Sequence, residues 1–255
     1  MDNYDGAFAK LYDMRWSGFS RKIAPHVIRY LERELPDSGK DRQWVCDLCC
    51  GAGQFSLALG HHGFNVHAID ISQDMLRITN DRLGGLLAHG HARVDLQDAA
   101  EFTAPEPQDA VVSLFDSINH LEGEQALVSC LKHSYEALKP GGIMLFDVNT
   151  AKGLERWNNM EVDEADHWTV ISRGVYEPGD SQAYMRVSGF VEVDGEWERF
   201  RKRFHNTVYR IADLTDMMRR AGFGQVKVLG IPQLEAIQGD PEQAGRVFME
   251  GRKEA

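Results

Sequence analysis

No apolar run in this chain approaches the ~18 residues that a membrane-spanning helix needs. The opening "MDNYDGAFAK" has neither a basic n-region nor an apolar h-region, so it does not read as a secretory signal. Cysteine is scarce. Four residues (Cys46, Cys49, Cys50 and Cys130) are too few for a disulfide scaffold, and a reducing cytoplasm is the compartment they suit. Basic charge is also in deficit, with 28 Lys plus Arg against 39 Asp plus Glu and a net charge of -11. Such a surface repels a polyphosphate backbone, which argues against nucleic acid as a partner, as the lack of a span argues against membrane. There is no internal repeat and no low-complexity segment. What remains, 255 residues with 43% hydrophobic and 26% charged, suits one α/β domain carrying a lid or insertion.

Residues 1–43 read as helical, with "PHVIRYLEREL" beginning a helix at Pro25, a tolerated first-turn residue. The middle alternates strand and helix patterns. "WVCDL", "NVHAID", "RVDLQ", "AVVSLF" and "IMLFDV" are five strand candidates. Between them lie "QFSLALGHHG", "SQDMLRITNDRL" with Ser72 as N-cap, and "EQALVSCLKHSYEALK" with Leu127, Leu131, Tyr135 and Leu138 on one stripe. That alternation predicts a mainly parallel, doubly wound sheet with helices on both faces. Residues 166–210 change character and read as three antiparallel strands, with Asp194-Gly195 as a hairpin turn. A helix, a strand and a last strand, "RVFMEGRK", then return to the sheet edge.

The stretch "WVCDLCCGAGQFSLALG" admits a sulfur site or a ligand loop. Cys46 and Cys49 differ by three, so on an extended strand they face opposite ways, and no zinc or redox role is assigned. The glycines explain the stretch better. A strand ends near Asp47-Leu48, a tight turn uses Gly51 and Gly53, and a helix starts near Gln54. This brings backbone N–H groups and a helix N-terminus against a ligand. Asp70 ends the second strand, 17 residues past Gly53, where a carboxylate can accept from both hydroxyls of a ribose. Asp98, in "LQDAA", follows the third strand and can accept from an adenine amino group. "LKPGG" turns the chain into the fifth strand.

With these motifs in this order, the sequence resembles the class I, seven-strand Rossmann-like S-adenosylmethionine-dependent methyltransferases, in their small-molecule-acting group. Asp47-Leu48-Cys49-Cys50-Gly51-Ala52-Gly53 matches the family's first motif, departing from it in Cys49 where glycine or alanine is common. The resemblance implies that Asp47, Cys49 and the Gly51–Ala52–Gly53 backbone hold the methionine end. Asp70 takes the ribose, Ile71 and Met75 flank the adenine, and Asp98 and Ala99 stand on its amino side. It also implies an aromatic cap in "YDGAFAKLYDMRW", with Tyr4, Tyr12 and Trp16 as candidates to close over the cofactor; one amphipathic face of plain packing is the alternative. No asparagine or aspartate Pro-Pro-aromatic motif follows the fourth strand and no Pro-Cys pair exists, so the DNA-directed branches are not matched.

The expected plan is therefore a helical cap over 1–39, a cofactor-binding core over 40–150, a β-meander lid over 151–210, and completion of the sheet over 211–255. Methyl transfer asks chiefly for placement of a nucleophile with water excluded, and for a base where the acceptor must lose a proton. Phe115, Asn119 and His120 follow the fourth strand at the ligand-binding edge, with His120 as the base candidate or else a solvent-facing residue. On the meander, Arg186, Ser188, Phe190 and Glu192 share a face with Trp197, Arg199, Arg201, Arg203 and His205. Arg199, Arg201 and Arg203 are candidates to grip an anionic acceptor, or charges that keep an edge soluble. The expected function is transfer of a methyl group to N or O of a small molecule, with S-adenosylhomocysteine as product and no metal; a homo-oligomer is compatible. The alternatives are a nicotinamide-dependent Rossmann oxidoreductase and a non-catalytic S-adenosylmethionine-binding protein.

Overall fold

The computed structural model describes residues 4, 6–36, 39 and 41–254. The expected boundary at residue 40 and both chain ends lie outside them. The chain opens with one helix, α1 (Gly6–Glu34), and Pro25 lies inside it rather than at its start. An interior proline forfeits a backbone hydrogen bond and costs ~3 kcal/mol or more. The stripe Ile23, Ala24, Val27, Ile28 and Leu31, all buried, offsets that locally.

The alternating region follows as β1 (Trp44–Leu48), α2 (Gln54–His61), β2 (Asn65–Asp70), α3 (Gln73–Ala88), β3 (Ala92–Leu96), β4 (Gln108–Ser113), α4 (Gly123–Ala137) and β5 (Leu138–Asn149). Ser72 caps α3, its hydroxyl accepting from the Met75 N–H at 3.3 Å. A short α5 (Ala151–Leu154) leads to β6 (Met160–Ala165), β7 (Trp168–Val175), β8 (Gln182–Val193) and β9 (Glu196–Thr207). The chain ends with α6 (Ile211–Ala221), β10 (Gln225–Gly230), β11 (Glu235–Ala236) and β12 (Arg246–Arg252).

The main sheet runs β11-β10-β12-β5-β4-β1-β2-β3. Its pairs from β5 through β4, β1 and β2 to β3 are parallel, and those joining β5, β12, β10 and β11 are antiparallel. It has eight strands where seven were expected; the addition is the two-residue β11. The last strand, β12, is not at the edge but between β5 and β10. Val247 to Gly251 are buried without a break, as a strand covered on both faces must be. One face carries α1, α2 and α3 on Val45, Val66, Ala110 and Ile143; the other carries α4 and α6 on Cys46, Val111, Met144 and Met249.

The meander is a separate four-stranded sheet, β6-β7-β8-β9, not three strands. Its extra strand, "MEVDEA", is an exposed edge whose apolar alternation is only Met160 and Val162, too short to mark a strand. Asp194 and Gly195 make the tight turn at positive φ, as that pair should. The inner face, with Val170, Val187, Val191, Phe200 and Phe204, packs on Phe8 and Leu11 of α1. The first turns of α1 are thus held between the two sheets.

Candidate functional site

The loop after β1 has the conformation its residues require. Cys49, Gly51 and Gly53 all have positive φ, and a Cβ on Gly53 would meet Thr79 at 2.8 Å. Gly53 at the N-cap of α2 has no side chain to cap it; Asp47 takes the Ser56 N–H from below, and the N–H groups before it are left for a ligand. Asp70 accepts from the N–H of Gly51 at 2.8 Å and of Ser72 at 2.9 Å. A carboxylate beside a glycine turn, at the carboxyl ends of neighbouring parallel strands, fits the ribose of a nucleoside cofactor. Asp98, exposed beyond β3, accepts from the Ala100 N–H at 2.8 Å, and Ala99 is buried behind it. Ile71 is 60% exposed next to Asp70, open to a ring.

Other expected positions lie deeper. Asp47 is 2% exposed and accepts from the Ser56 hydroxyl at 2.5 Å; burial pushes its pKa up to about 7. It supports the loop from below rather than facing open space. Met75 and Ala52 pack with Ala9 beneath Tyr4 and Tyr12, so Met75 is placed as packing. The cysteine geometry differs from expectation. Cys46 and Cys49 pack against the same apolar cluster, because Cys49 has left the strand with φ 61° and the alternation no longer applies. All four cysteines are free thiols, and burial pushes the Cys46 and Cys49 thiols well up, against reactivity. Among the described residues, no group of three or more His, Cys, Asp and Glu side chains is placed to hold a metal ion.

Beside this loop lies a cavity of about 230 Å³, walled by Tyr4, Phe8, Tyr12 and Trp16 of the amino-terminal segment, by Phe115 and by Phe204 of the meander. Tyr12 stacks on Trp16 at 5.7 Å, and Tyr4 meets Tyr12 edge-on at 5.2 Å. A Cβ on Gly51 would touch the Tyr12 ring at 3.9 Å, so this ring divides the cavity from the glycine loop. Burial pushes the Tyr12 pKa well up, with Tyr4, Asp116 and Asp70 adding to it. The phenol therefore stays protonated and serves as a donor, not a base. Two contacts fasten the roof: Asp13 pairs with Arg82 at 2.9 Å and accepts from Gln54 at 2.5 Å.

The cavity floor is an ionic cluster that the sequence did not announce. Asp147, wholly buried on β5, accepts from the N–H of Phe115 at 2.6 Å and of Asp116 at 3.0 Å. Those two residues take φ 64° and 49°, left-handed conformations that cost non-glycine residues ~1–3 kcal/mol each. Arg246, arriving on β12, pairs with Asp147 and with Asp116, the latter at 2.7 Å, and lies over the Phe19 and Phe115 rings. Burial opposes its charge, but Asp116 and Asp147 outweigh burial and push its pKa up.

His120 lines the cavity half-buried, with Nε2 3.7 Å from Asp116 and 3.3 Å from the Asn206 amide. Burial pushes its pKa down, so it is neutral near pH 7 and able to take a proton. Asn119 is not in the cavity. Its amide donates to the carbonyls of Asn149 and Thr207 and accepts from the Asn149 N–H, so it is spent tying β5 to β9. Arg199, Arg201 and Arg203 share a face, as expected, but it is the outer one. Phe200 and Phe204 alternate with them toward the cavity side, while Phe190 and Trp197 stand on the arginine face, so aromatics occur on both faces. The residues sequence reasoning missed are Asp116, Asp147, Arg246, Arg15 and Glu161. Arg15 bonds Asp163 at 2.6 Å and reaches Glu161 at 3.8 Å at the cavity mouth. Asp116, within the Phe115–His120 stretch, and Arg15, next to Trp16, had a local sequence cue.

Comparison with known proteins gives a consistent pattern. The family model described as a methyltransferase domain matches residues 19–228. YqeM of Bacillus subtilis (strain 168), named as a methyltransferase, is 27% identical over 224 residues, covering 86% of each chain. An S-adenosylmethionine-dependent methyltransferase from Clostridium acetobutylicum ATCC 824 superposes with a TM-score of 0.80 at 21% identity, covering 97% of this chain and 98% of that one. The sugar N-methyltransferase KedS8 from Streptoalloteichus sp ATCC 53650 superposes with a TM-score of 0.73 at 16% identity, covering 100% and 96%. At such identities the two structures speak to the fold alone.

Proposed function

From a chain that belongs to the methyltransferase-domain family, and so uses S-adenosylmethionine, we propose a specific acceptor chemistry: a nitrogen of a small polar amine, methylated in the cavity beneath Tyr4, Tyr12 and Trp16. Family membership sets the nicotinamide alternative aside. The observation that carries the amine reading is the charge around the cavity. At and just behind the wall, four carboxylates (Asp116, Asp147, Glu161 and Asp163) stand against three guanidiniums (Arg15, Arg156 and Arg246), beside a neutral His120. Such surroundings draw in an ammonium and disfavour an anion.

The residues beside the cavity fit the cofactor: glycines at positive φ, a helix start with a glycine at its N-cap, and Asp70 at the end of β2. Bound S-adenosylmethionine supplies a methyl group that is already electrophilic. Asp70, the Gly51–Gly53 backbone and Asp98 hold it. Tyr4, Tyr12 and Trp16 cover the cavity and exclude water. An ammonium entering past Glu161 has no lone pair until it loses a proton. His120 takes that proton, and Asp116 stabilises the imidazolium that forms. Asn206 orients the ring. Phe115, stacked on Phe19 at 5.0 Å, fixes the wall where cofactor and acceptor meet. The setting is the cytoplasm, where the four thiols stay reduced.

The test is a screen with methyl-labelled S-adenosylmethionine against matched small amines, alcohols and phenols. Amines should accept the label, and Glu161→Gln should raise their KM without changing S-adenosylhomocysteine affinity. Turnover confined to hydroxyl acceptors would move the chemistry to oxygen.

A further inference from the structure

The outer face of the four-stranded sheet is unlike the rest of the surface. Among the described residues, eleven large hydrophobic side chains are exposed, and seven belong to this sheet: Met160, Val162, Ile171, Val175, Tyr184, Phe190 and Trp197. Strand register puts all seven on one side, opposite the face that packs on α1. One cross-strand row reads Met160, Arg173, Arg186, Arg203, so three arginines lie side by side across β7, β8 and β9. The next rows read Val162, Ile171, Ser188, Arg201 and Glu164, Thr169, Phe190, Arg199. Like charges directly opposite destabilise a sheet, and exposed apolar side chains gain nothing for the monomer in water. Five exposed arginines share this face with two glutamates, Glu164 and Glu192, in a chain whose net charge is -11. The rest of the molecule therefore holds the negative charge, and this face, with five arginines against two glutamates, complements an anionic partner.

We propose that the outer face of this sheet docks on an anionic lipid surface. A bilayer interface meets both properties at once. Acidic headgroups take the guanidiniums, while Trp197, Phe190, Tyr184 and the aliphatic side chains of β6 and β7 enter the boundary with the acyl chains. Other occupants meet only one. Nucleic acid would use the arginines and stack on Phe190 and Trp197, but would leave Met160, Val162, Ile171 and Val175 in water. A second copy docked face to face would set arginine against arginine. The lack of a helix able to cross a membrane concerns spanning, and leaves contact from one side open. The cavity lies on the opposite side of the sheet, so docking does not block it.

The test is flotation of the full chain with vesicles of phosphatidylglycerol in phosphatidylcholine and with vesicles of phosphatidylcholine alone. The protein should float with the first at low salt, stay in solution with the second, and be released from the first as salt shortens the screening length. Arg173→Gln with Arg186→Gln should weaken binding about thirtyfold, the effect of two arginines at an anionic surface. Phe190→Ser with Trp197→Ser leaves the charge unchanged and should weaken binding at least about tenfold through lost apolar insertion. Melting curves like that of wild type establish that both double variants are folded. Equal flotation with both vesicles, no flotation at all, or flotation untouched by either variant would overturn the proposal. So would a dimer in solution broken by the Phe190 and Trp197 changes, which would make a second copy the occupant. Binding of a single-stranded RNA weakened by the same variants, without lipid binding, would assign the face to nucleic acid.

Discussion

Replacing Asp147 with asparagine tests the floor of the site. The wild-type carboxylate accepts from two backbone N–H groups and from Arg246 while fully buried. Asparagine keeps the shape but replaces one oxygen with an NH2, so a donor must now face either a backbone N–H or the guanidinium. Removing one partner of a buried ion pair costs ~3–5 kcal/mol. Asp116 still pairs with Arg246 at 2.7 Å, which brings the expected loss to about 2–4 kcal/mol. For a chain of this size that lowers Tm by roughly 5–15 °C. Arg246→Gln alone strands two buried carboxylates and should cost at least as much. The double variant should lose less than the sum by at least ~1 kcal/mol, as residues in one network do. Acceptor kcat/KM should fall with Asp147→Asn, because the left-handed Phe115 and Asp116 lose the bonds that hold them. Thermal melts and a double-mutant cycle read all of this. A Tm within about 1 °C of wild type, or strict additivity in the cycle, would refute the role given to this cluster.

Asp70→Ala should weaken S-adenosylhomocysteine binding at least about a hundredfold by calorimetry, since two hydrogen bonds to a charged group are worth ~1.5–3 kcal/mol each; unchanged affinity in a folded variant would sink the cofactor assignment. Activity should fall as pH drops below the ordinary histidine value of 6.5, where a protonated His120 can no longer accept, and His120→Gln should lower kcat ~10²–10⁴-fold and remove that acidic limb. The same limb surviving in the variant would exclude His120 as base. Asp47 titrates at about 7 in the folded chain against 3.8 ordinarily, so its stabilising effect is full below pH 3.8 and is lost as pH rises through 7. Asp47→Asn, which can still accept from Ser56, should therefore be more stable than wild type at pH 8, by up to ~4 kcal/mol without cofactor, and equal melting there would show that the carboxyl is not strained by burial.

What the sequence disclosed follows the range of its signals. Asp47 to Gly53 and Asp70 lie within a strand–turn–helix–strand unit, where spacing translates directly into geometry. The hairpin at Asp194-Gly195 is just as local. Arg246 meets Asp147 across 99 residues and Asp116 across 130, and no periodicity reaches that far. The β12 position inside the sheet, which delivers Arg246, is a matter of tertiary pairing. Asn119 and Met75 were plausible contacts by position; burial and committed hydrogen bonds, invisible in one dimension, placed them elsewhere. The arginines show the limit of period-two reasoning. Alternation tells which residues share a face, and only the packing of Phe8 and Leu11 on the other face tells which way it looks. At Pro25, a local preference lost to a buried stripe several turns long.

That same helix is at once a roof and a foundation. Its first turns cover the cavity, while the helix from Ile23 onward is embedded against the main sheet, with Phe19 packed beside it. A rigid rod of this kind cannot lift at one end without levering the other out of the core. Passage of a large nucleoside past Tyr12 therefore calls for a hinge, and the rod has one weak joint. Pro25 has no N–H to offer the carbonyl of Arg21, so the Arg21–Pro25 turn lacks a bond that every neighbouring turn has. A bend there would have to break the Asp13 contacts with Arg82 and Gln54 before the roof could lift.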